Sequence, residues 1–165
     1  MSDTIIPLEF VQSKFSLNWM DLLWAYKRKL LTWKDLIQVA VDLVNNGSDN
    51  LLEIELAAVD KENVWKVSEV AQALADECSN SEEESKQKWL FLCLAWAYEN
   101  REKLADPLGA VESIYADFDY PSAIESFVRF LPPSDGYAPA QYSQEQNHQR
   151  LMTKWNEFLR RGNAS

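Results

Sequence analysis

Glycine and histidine are scarce in this chain of 165 residues, which contains four glycines and a single histidine, His148. No segment alternates Val, Ile or Thr with polar residues around an Asn-Gly turn, which argues against β-hairpins. The sequence also offers no glycine-rich phosphate loop, no spaced set of metal ligands and no nucleophile paired with a base. We therefore predict a protein without a cofactor, a bound metal or enzymatic activity.

Cysteine and long apolar runs are scarce as well. Cys78 and Cys93 both fall within apolar helical patterns, which favours two buried thiols in a reducing compartment over a disulfide. The longest nearly apolar run, residues 89–98, is too short to cross a bilayer. The first residues have neither the basic nor the apolar region of a signal peptide. We therefore expect a cytoplasmic protein.

Basic residues are few relative to acidic ones: 16 Lys and Arg stand against 26 Asp and Glu, a formal net charge of -10. This balance argues against binding to nucleic acid, because phosphate contacts require many Lys and Arg side chains. It argues equally against an anionic membrane surface. It favours a basic protein partner, although the same charge can serve solubility alone.

Apolar residues at helical spacing are abundant, and 47% of the chain is hydrophobic, including seven tryptophans. A domain of this size buries about 70% of the surface of its unfolded chain, so it can form a core without disulfides. Capping-box patterns predict three helix starts. The pairs that form these patterns are Thr32 with Asp35, Ser81 with Glu84, and Ser143 with Gln146.

The predicted fold is all-α: a single domain, residues 1–165, that packs as an irregular bundle of about eight short helices. An extended N-terminal segment (1–14), a Pro-rich loop (132–142) and a flexible tail (162–165) complete the prediction. Gly47 and Gly162 are expected to end helices. Ser48 or Asp49 is placed to cap the third helix.

An aromatic and acidic corner, Asp117-Phe118-Asp119-Tyr120-Pro121, joins the sixth and seventh predicted helices. Asp119 is placed to cap the seventh helix. Asp117 falls in the last turn of the sixth helix, where the helix dipole disfavours an acid. It could therefore pair with Arg129 or with a lysine of a partner, and the residues leave a structural and a binding role both open.

Three other chemistries can be weighed from the residues. Asp117 and Asp119 could act as a general acid and base, and an enzyme that uses Asp117, Asp119 or His148 would require a single pocket that joins at least two of these side chains. His148 lies beside the apolar stripe of the last helix, which favours a histidine satisfied by a neighbour. The acids of residues 82–84 point in directions about 100° apart on a helix, which favours capping over metal binding.

Several longer motifs make the chain similar to a bacterial family, domain of unknown function 2247, over about residues 15–159. The motifs are Leu17-Asn18-Trp19, Lys88-Trp89-Leu90, Trp96-Ala97-Tyr98-Glu99-Asn100, Asp106-Pro107-Leu108, the stretch from Val111 through the corner to Pro121, Phe127-Val128-Arg129, Pro132-Pro133, Asn147, Leu151 and Trp155.

This family resembles those encoded beside polymorphic or contact-dependent toxin genes in bacteria. The resemblance implies a non-enzymatic immunity protein that binds a cognate toxin domain, a basic nuclease, and blocks its active site. Our candidate contact residues come from the corner and the Pro-rich loop; they are Asp117, Asp119, Tyr120, Asp135 and Tyr137. The alternative is a helical adaptor or scaffold protein with an acidic interaction surface. The sequence does not indicate an oligomeric state.

Overall fold

The computed structural model describes residues 5–163, and all regular secondary structure in this range is helical. Two of its helices are of the 3-10 type, Ser122–Phe127 and Pro139–Gln141. The eight α-helices are α1 (Leu8–Lys14), α2 (Trp19–Lys27), α3 (Trp33–Asn45), α4 (Leu51–Ala57), α5 (Trp65–Ala75), α6 (Glu82–Glu99), α7 (Pro107–Asp117) and α8 (Gln144–Asn163). The all-α prediction is therefore confirmed. No helix among the described residues combines the length and the apolar character needed to cross a membrane.

Capping boxes begin the helices for which the sequence predicted them. At the start of α3, Thr32 Oγ1 accepts a hydrogen bond from the Asp35 amide, and the Asp35 carboxylate accepts one from the Thr32 amide. The other two predicted boxes form in the same reciprocal way, Ser81 with Glu84 and Ser143 with Gln146. These bonds satisfy amides that a helix leaves unpaired in its first turn.

The start of α4 was predicted wrongly. Asn50, rather than Ser48 or Asp49, is the cap, because its Oδ1 accepts hydrogen bonds from the amides of Leu52 and Glu53 at 2.9 and 3.3 Å. Ser48 instead donates its hydroxyl to the Glu53 carboxylate.

Three helices end in the same Schellman geometry. After α2, α3 and α7, one amide bonds to the carbonyl three residues earlier and the next amide bonds to the carbonyl five residues earlier. The residue at the left-handed position is Lys29 (φ 65°), Gly47 (φ 101°) and Asp119 (φ 63°), respectively. Gly47 was predicted for this role. Lys29 and Asp119 carry side chains where glycine would be least strained.

The described chain divides into two compact units, residues 5–89 and residues 90–163, and the division falls inside α6. In the first unit, α4 packs on α3 and α5, and α5 also packs on α2. Its core consists of apolar side chains from all of these helices, among them Leu22, Leu36, Ala40, Leu56, Val67 and Leu74.

One carboxylate, that of Asp21, is fully buried in the first unit. Its two oxygens accept hydrogen bonds from four groups: the Asn18 amide, Asn80 Nδ2, Ser85 Oγ and Lys88 Nζ. The Asp21 carbonyl also accepts a bond from the indole of Trp89 at 2.9 Å. The side chain therefore ties the start of α2 to the start of α6.

The core of the second unit centres on Trp155 of α8, which is fully buried. The Tyr98 ring meets the Trp155 ring edge to face at 5.0 Å, and the Phe127 ring is parallel to it at 6.4 Å. The 3-10 helix that carries Phe127 packs against α8. The sequence placed an α-helix here, extending to Leu131; the backbone instead turns at Phe130, whose φ is 69°.

Both ends of the chain depart from the prediction. The segment 1–14 was expected to be extended, but α1 occupies Leu8–Lys14, because Pro7 fixes a φ of -58° at its start and Val11 is fully buried. Residues 1–4 lie outside the described part. Likewise α8 continues through Gly162, which was expected to end it. Residues 164–165 of the predicted flexible tail also lie outside the described part.

Close packing explains the glycine inside α8. A Cβ built on Gly162 would overlap the ring of Phe91. The position therefore requires glycine for the approach of that ring rather than for a helix end.

Both cysteines are free thiols, as predicted, but only Cys93 is buried, and Cys78 is half-buried. Burial, together with the smaller effect of the Asp117 charge, raises the pKa of Cys93 to about 12. Such a thiol is a small apolar side chain in practice, because the thiolate that reacts is disfavoured.

Candidate functional site

The corner at residues 117–121 is built around the end of α7. Asp119 occupies the left-handed position, and Tyr120, with a φ of 59°, follows in the same conformation. The Tyr120 amide bonds to the Tyr115 carbonyl at 2.8 Å, and the two rings meet edge to face at 5.3 Å. This ring contact is the apolar contact that accompanies a Schellman motif. Asp119 therefore ends α7. The prediction that it caps the next helix is wrong.

Three predicted contact residues of the corner are open to solvent. Asp117 is the last residue of α7, and both Asp117 and Asp119 are exposed. The Tyr120 side chain is 64% exposed despite its contact with Tyr115. Tyr115 donates its hydroxyl to Glu125 at 2.9 Å, and this bond raises the pKa of Tyr115. The corner thus exposes a tyrosine that follows two carboxylates in the sequence. Its backbone is held in place by the hydrogen bond and the ring contact with Tyr115.

The suggested pairing of Asp117 with Arg129 is wrong. Arg129 contacts Glu112 through Nε and Nη2, both at 3.0 Å, and Asp106 through Nη2 at 2.8 Å. Two planar donors facing one carboxylate give the bidentate geometry that favours arginine. The hydrogen bond from Arg129 lowers the pKa of Asp106. Arg129 therefore joins the first turns of α7 to the segment after the 3-10 helix.

The other two predicted contact residues, Asp135 and Tyr137, are engaged within the chain. Asp135 accepts a hydrogen bond from Arg150 Nη2 at 2.6 Å and lies 3.4 Å from Lys154 Nζ. Tyr137 donates its hydroxyl to Asn147, and the Arg150 guanidinium lies 3.9 Å from its ring centre. These contacts fix the Pro-rich loop to α8. A structural role is therefore enough to account for both Asp135 and Tyr137.

The hydrogen bond from Arg150 is the main reason that the pKa of Asp135 lies below its ordinary value. The Tyr142 ring stacks on Tyr137 at 4.7 Å, nearly parallel. The structure thus brings Asp135 and Tyr137 together on one guanidinium, while the corner residues have neighbours of their own.

A groove of about 560 Å³ runs between this loop and α8. Its walls are mainly apolar and include Leu108, Val128, Leu131, Pro133 and Leu151. His148 is exposed and also lines the groove, whereas Asp117 and Asp119 do not. This groove therefore does not join the side chains that the enzymatic alternative requires. Among residues 5–163, no three His, Cys, Asp or Glu side chains are grouped as metal ligands would be.

The sequence interpretation missed a second exposed surface, on α4. Leu51 and Ile54 are 81% and 42% exposed, and Trp65 at the start of α5 is 64% exposed. The signal was present in the sequence, since the α4 segment LLEIELA is apolar on two opposite faces and only one face can pack inward.

Comparison with known proteins gives one match. No curated protein and no solved structure matches the chain. A family model described as "Uncharacterized protein conserved in bacteria" matches residues 8–163, nearly the whole chain. The chain therefore belongs to this bacterial family, DUF2247.

Proposed function

We propose that this chain is a cytoplasmic, non-enzymatic immunity protein, which binds a basic bacterial toxin domain and covers its active site. The first support is charge, since the chain carries -10 and a pI of about 4.6. A nuclease domain binds phosphates through Lys and Arg, so its active-site surface is positive. Opposite fields of this kind steer two proteins together and raise their association rate.

The corner carries the proposal. Left-handed backbone costs about 1–2 kcal/mol per residue for side chains other than glycine, and Asp119 and Tyr120 adopt it consecutively. The Tyr120 side chain is nevertheless mostly exposed, so burial of that ring does little to offset the cost. Exposed aromatic side chains on a fixed backbone are typical of the anchors that dominate binding energy at interfaces. Strain held at an exposed position is a reason to assign function there.

In this mechanism Tyr120 enters a pocket of the toxin domain, and Asp117 and Asp119 meet Lys or Arg side chains that would otherwise hold phosphate. Binding makes and breaks no covalent bond, and inhibition results because nucleic acid is excluded from the cleft. Asp135 and Tyr137 act indirectly, because they hold the loop through Arg150.

The test is co-purification of the full chain with the toxin domain encoded by the neighbouring gene, together with protection of cells that express this domain. Tyr120→Ala is expected to weaken binding at least about tenfold, as truncation of an interface anchor does. Phe130→Ala is the matched control, because Phe130 is also an exposed aromatic residue (90%) on left-handed backbone (φ 69°) but lies outside the corner.

Two results would contradict the proposal. Absence of binding and of protection by the wild-type chain would remove it. Capture of a partner that does not harm cells would favour the helical adaptor instead.

A further inference from the structure

We infer that the outer face of α4, formed by Leu51, Ile54, Glu55 and Ala58, is a docking surface for a basic protein with an apolar pocket. These positions follow the spacing of one helical face, since neighbours on a helix surface are three and four residues apart. All four side chains are exposed, and Leu51 retains 81% of its accessible surface.

The opposite face of α4 is the one that packs against the core of the first unit. Leu56 and the following Val59 are buried, and Leu52 is half-buried between solvent and core. The outer apolar residues are therefore not needed for the fold of this unit. A single exposed leucine is ordinary, but exposed apolar residues that share one face mark an interaction site.

The neighbouring helices α3 and α5 allow the exposed residues of α4 to be compared with other solvent-facing positions of the same unit. The exposed positions of α3 include Lys34, Gln38, Asp42 and Asn45, with Leu43 (37%) as the apolar exception, and those of α5 after Trp65 include Ser68, Glu69 and Gln72. Both helices are amphipathic in the usual sense, with mostly polar residues on the solvent side. The outer face of α4 differs from them in chemistry rather than in exposure.

A further exposed apolar side chain, Trp65 (64%), lies near the end of α4 that is away from Leu51. Asn50, which caps the start of α4, donates to Glu77, which follows the end of α5, so the two helices run antiparallel. Trp65 begins α5 and therefore lies toward the end of α4. Tryptophan is the residue most enriched among binding hot spots.

Charge identifies the occupant. Between Asp49 and Glu62 the chain contains five acids and one base, Lys61. Among the residues that the structure describes, no Lys or Arg forms a salt bridge with Asp49, Glu55 or Glu62. An apolar centre with acidic side chains around it complements a basic surface with an apolar pocket. This occupant is the basic toxin domain, so the inference rests on the proposed function and adds a second contact surface to the corner.

The experiment measures the dissociation constant between the full chain and the toxin domain encoded by the neighbouring gene. The double variant Leu51→Gln and Ile54→Gln removes the apolar contacts and keeps good helix formers. Glu55→Lys reverses the charge of the same face. Leu104→Gln and Glu157→Lys make the same chemical changes at exposed positions of the other unit and serve as controls.

The inference predicts that both α4 variants bind at least about tenfold more weakly, that the controls bind like wild type, and that the Glu55→Lys defect shrinks at high salt. Circular dichroism and thermal melting should not distinguish these variants from wild type, because the substituted side chains are exposed. If wild type binds and both α4 variants bind within about twofold of it, the α4 surface is overturned and the immunity function stands. If wild type does not bind the toxin domain, both proposals fall.

Discussion

Lys88 Nζ lies 2.8 Å from Oδ2 of Asp21, although the Asp21 side chain is fully buried and the Lys88 side chain is 32% exposed. The same carboxylate oxygen accepts the Asn18 amide and so completes the cap of α2. Charge neutralisation and helix capping thus depend on one side chain, which Ser85 and Asn80 hold through the other oxygen.

Lys88→Met is therefore expected to lower the free energy of unfolding by about 3 kcal/mol, because it leaves a buried carboxylate without its counter-charge. Urea denaturation provides the measurement. The matched control is Lys61→Met at an exposed position, with an expected change of no more than about 0.5 kcal/mol. In an Asp21→Asn background the effect of Lys88→Met should be much smaller, as a double-mutant cycle would show. Equal stability of the Lys88→Met and Lys61→Met proteins would contradict a structural ion pair.

Asp119→Gly and Lys29→Gly are expected to raise the free energy of unfolding by about 1 kcal/mol each, because both replace a strained side chain at the end of a helix with glycine. The urea midpoint measures the gain, provided the m-value is unchanged. The pair also separates stability from binding. Under the proposed function Asp119→Gly weakens toxin binding, whereas Lys29→Gly does not. Stabilisation by both variants with unaltered binding would assign Asp119 to the fold alone.

Asp135 is expected to make the Pro-rich loop sensitive to acid. Because Arg150 lowers the pKa of Asp135 in the folded protein, the contribution of this carboxylate is fully present above the ordinary aspartate pKa of about 3.9. It is lost as the pH falls through the lower, folded pKa. Amide hydrogen exchange of residues 132–142, corrected for intrinsic rates, should show protection decreasing over that range. In Asp135→Asn the protection should be weak at every pH; a wild-type profile in this variant would rule out the role.

Gly162→Ala is expected to destabilise the second unit by about 1–3 kcal/mol, since the added methyl group overlaps the Phe91 ring. Helix propensity alone predicts the opposite, because alanine favours a helix by about 1 kcal/mol over glycine. Thermal unfolding decides between the two. Phe91→Leu should relieve the overlap and restore part of the stability in the double variant. A stabilised Gly162→Ala protein would show that the Phe91 ring does not approach Gly162 closely.

Several members of the family motifs find their roles within the fold. Asn18 and Lys88 both bind Asp21, and Tyr98 meets Trp155 in the core of the second unit. Arg129 binds Asp106 and Glu112 of the motif at the start of α7. These residues support the architecture, which leaves exposed side chains such as Tyr120 of the corner and Leu51 of α4 as candidates for binding.

The sequence alone determined the features that arise within a few residues. Thr32 with Asp35 and Ser81 with Glu84 could be recognised as helix starts because each capping box closes over three positions. Gly47 could be recognised as a helix end because its conformation is a local property. Helical spacing of apolar residues likewise gave the all-α fold, and the acid excess gave the expected partner charge.

Tertiary structure decided what depends on residues far apart in the chain. The sequence around Asp21 does not predict that Ser85 and Lys88 will contact its carboxylate. The sequence around Gly162 does not predict that the ring of Phe91 will lie against it. The partners of Arg129 and the exposure of Leu51 likewise depend on residues that are far away in the sequence. Which of two apolar faces packs inward, and which carboxylate reaches a cation, is fixed by the helices that come to lie beside it, and local sequence does not contain that information.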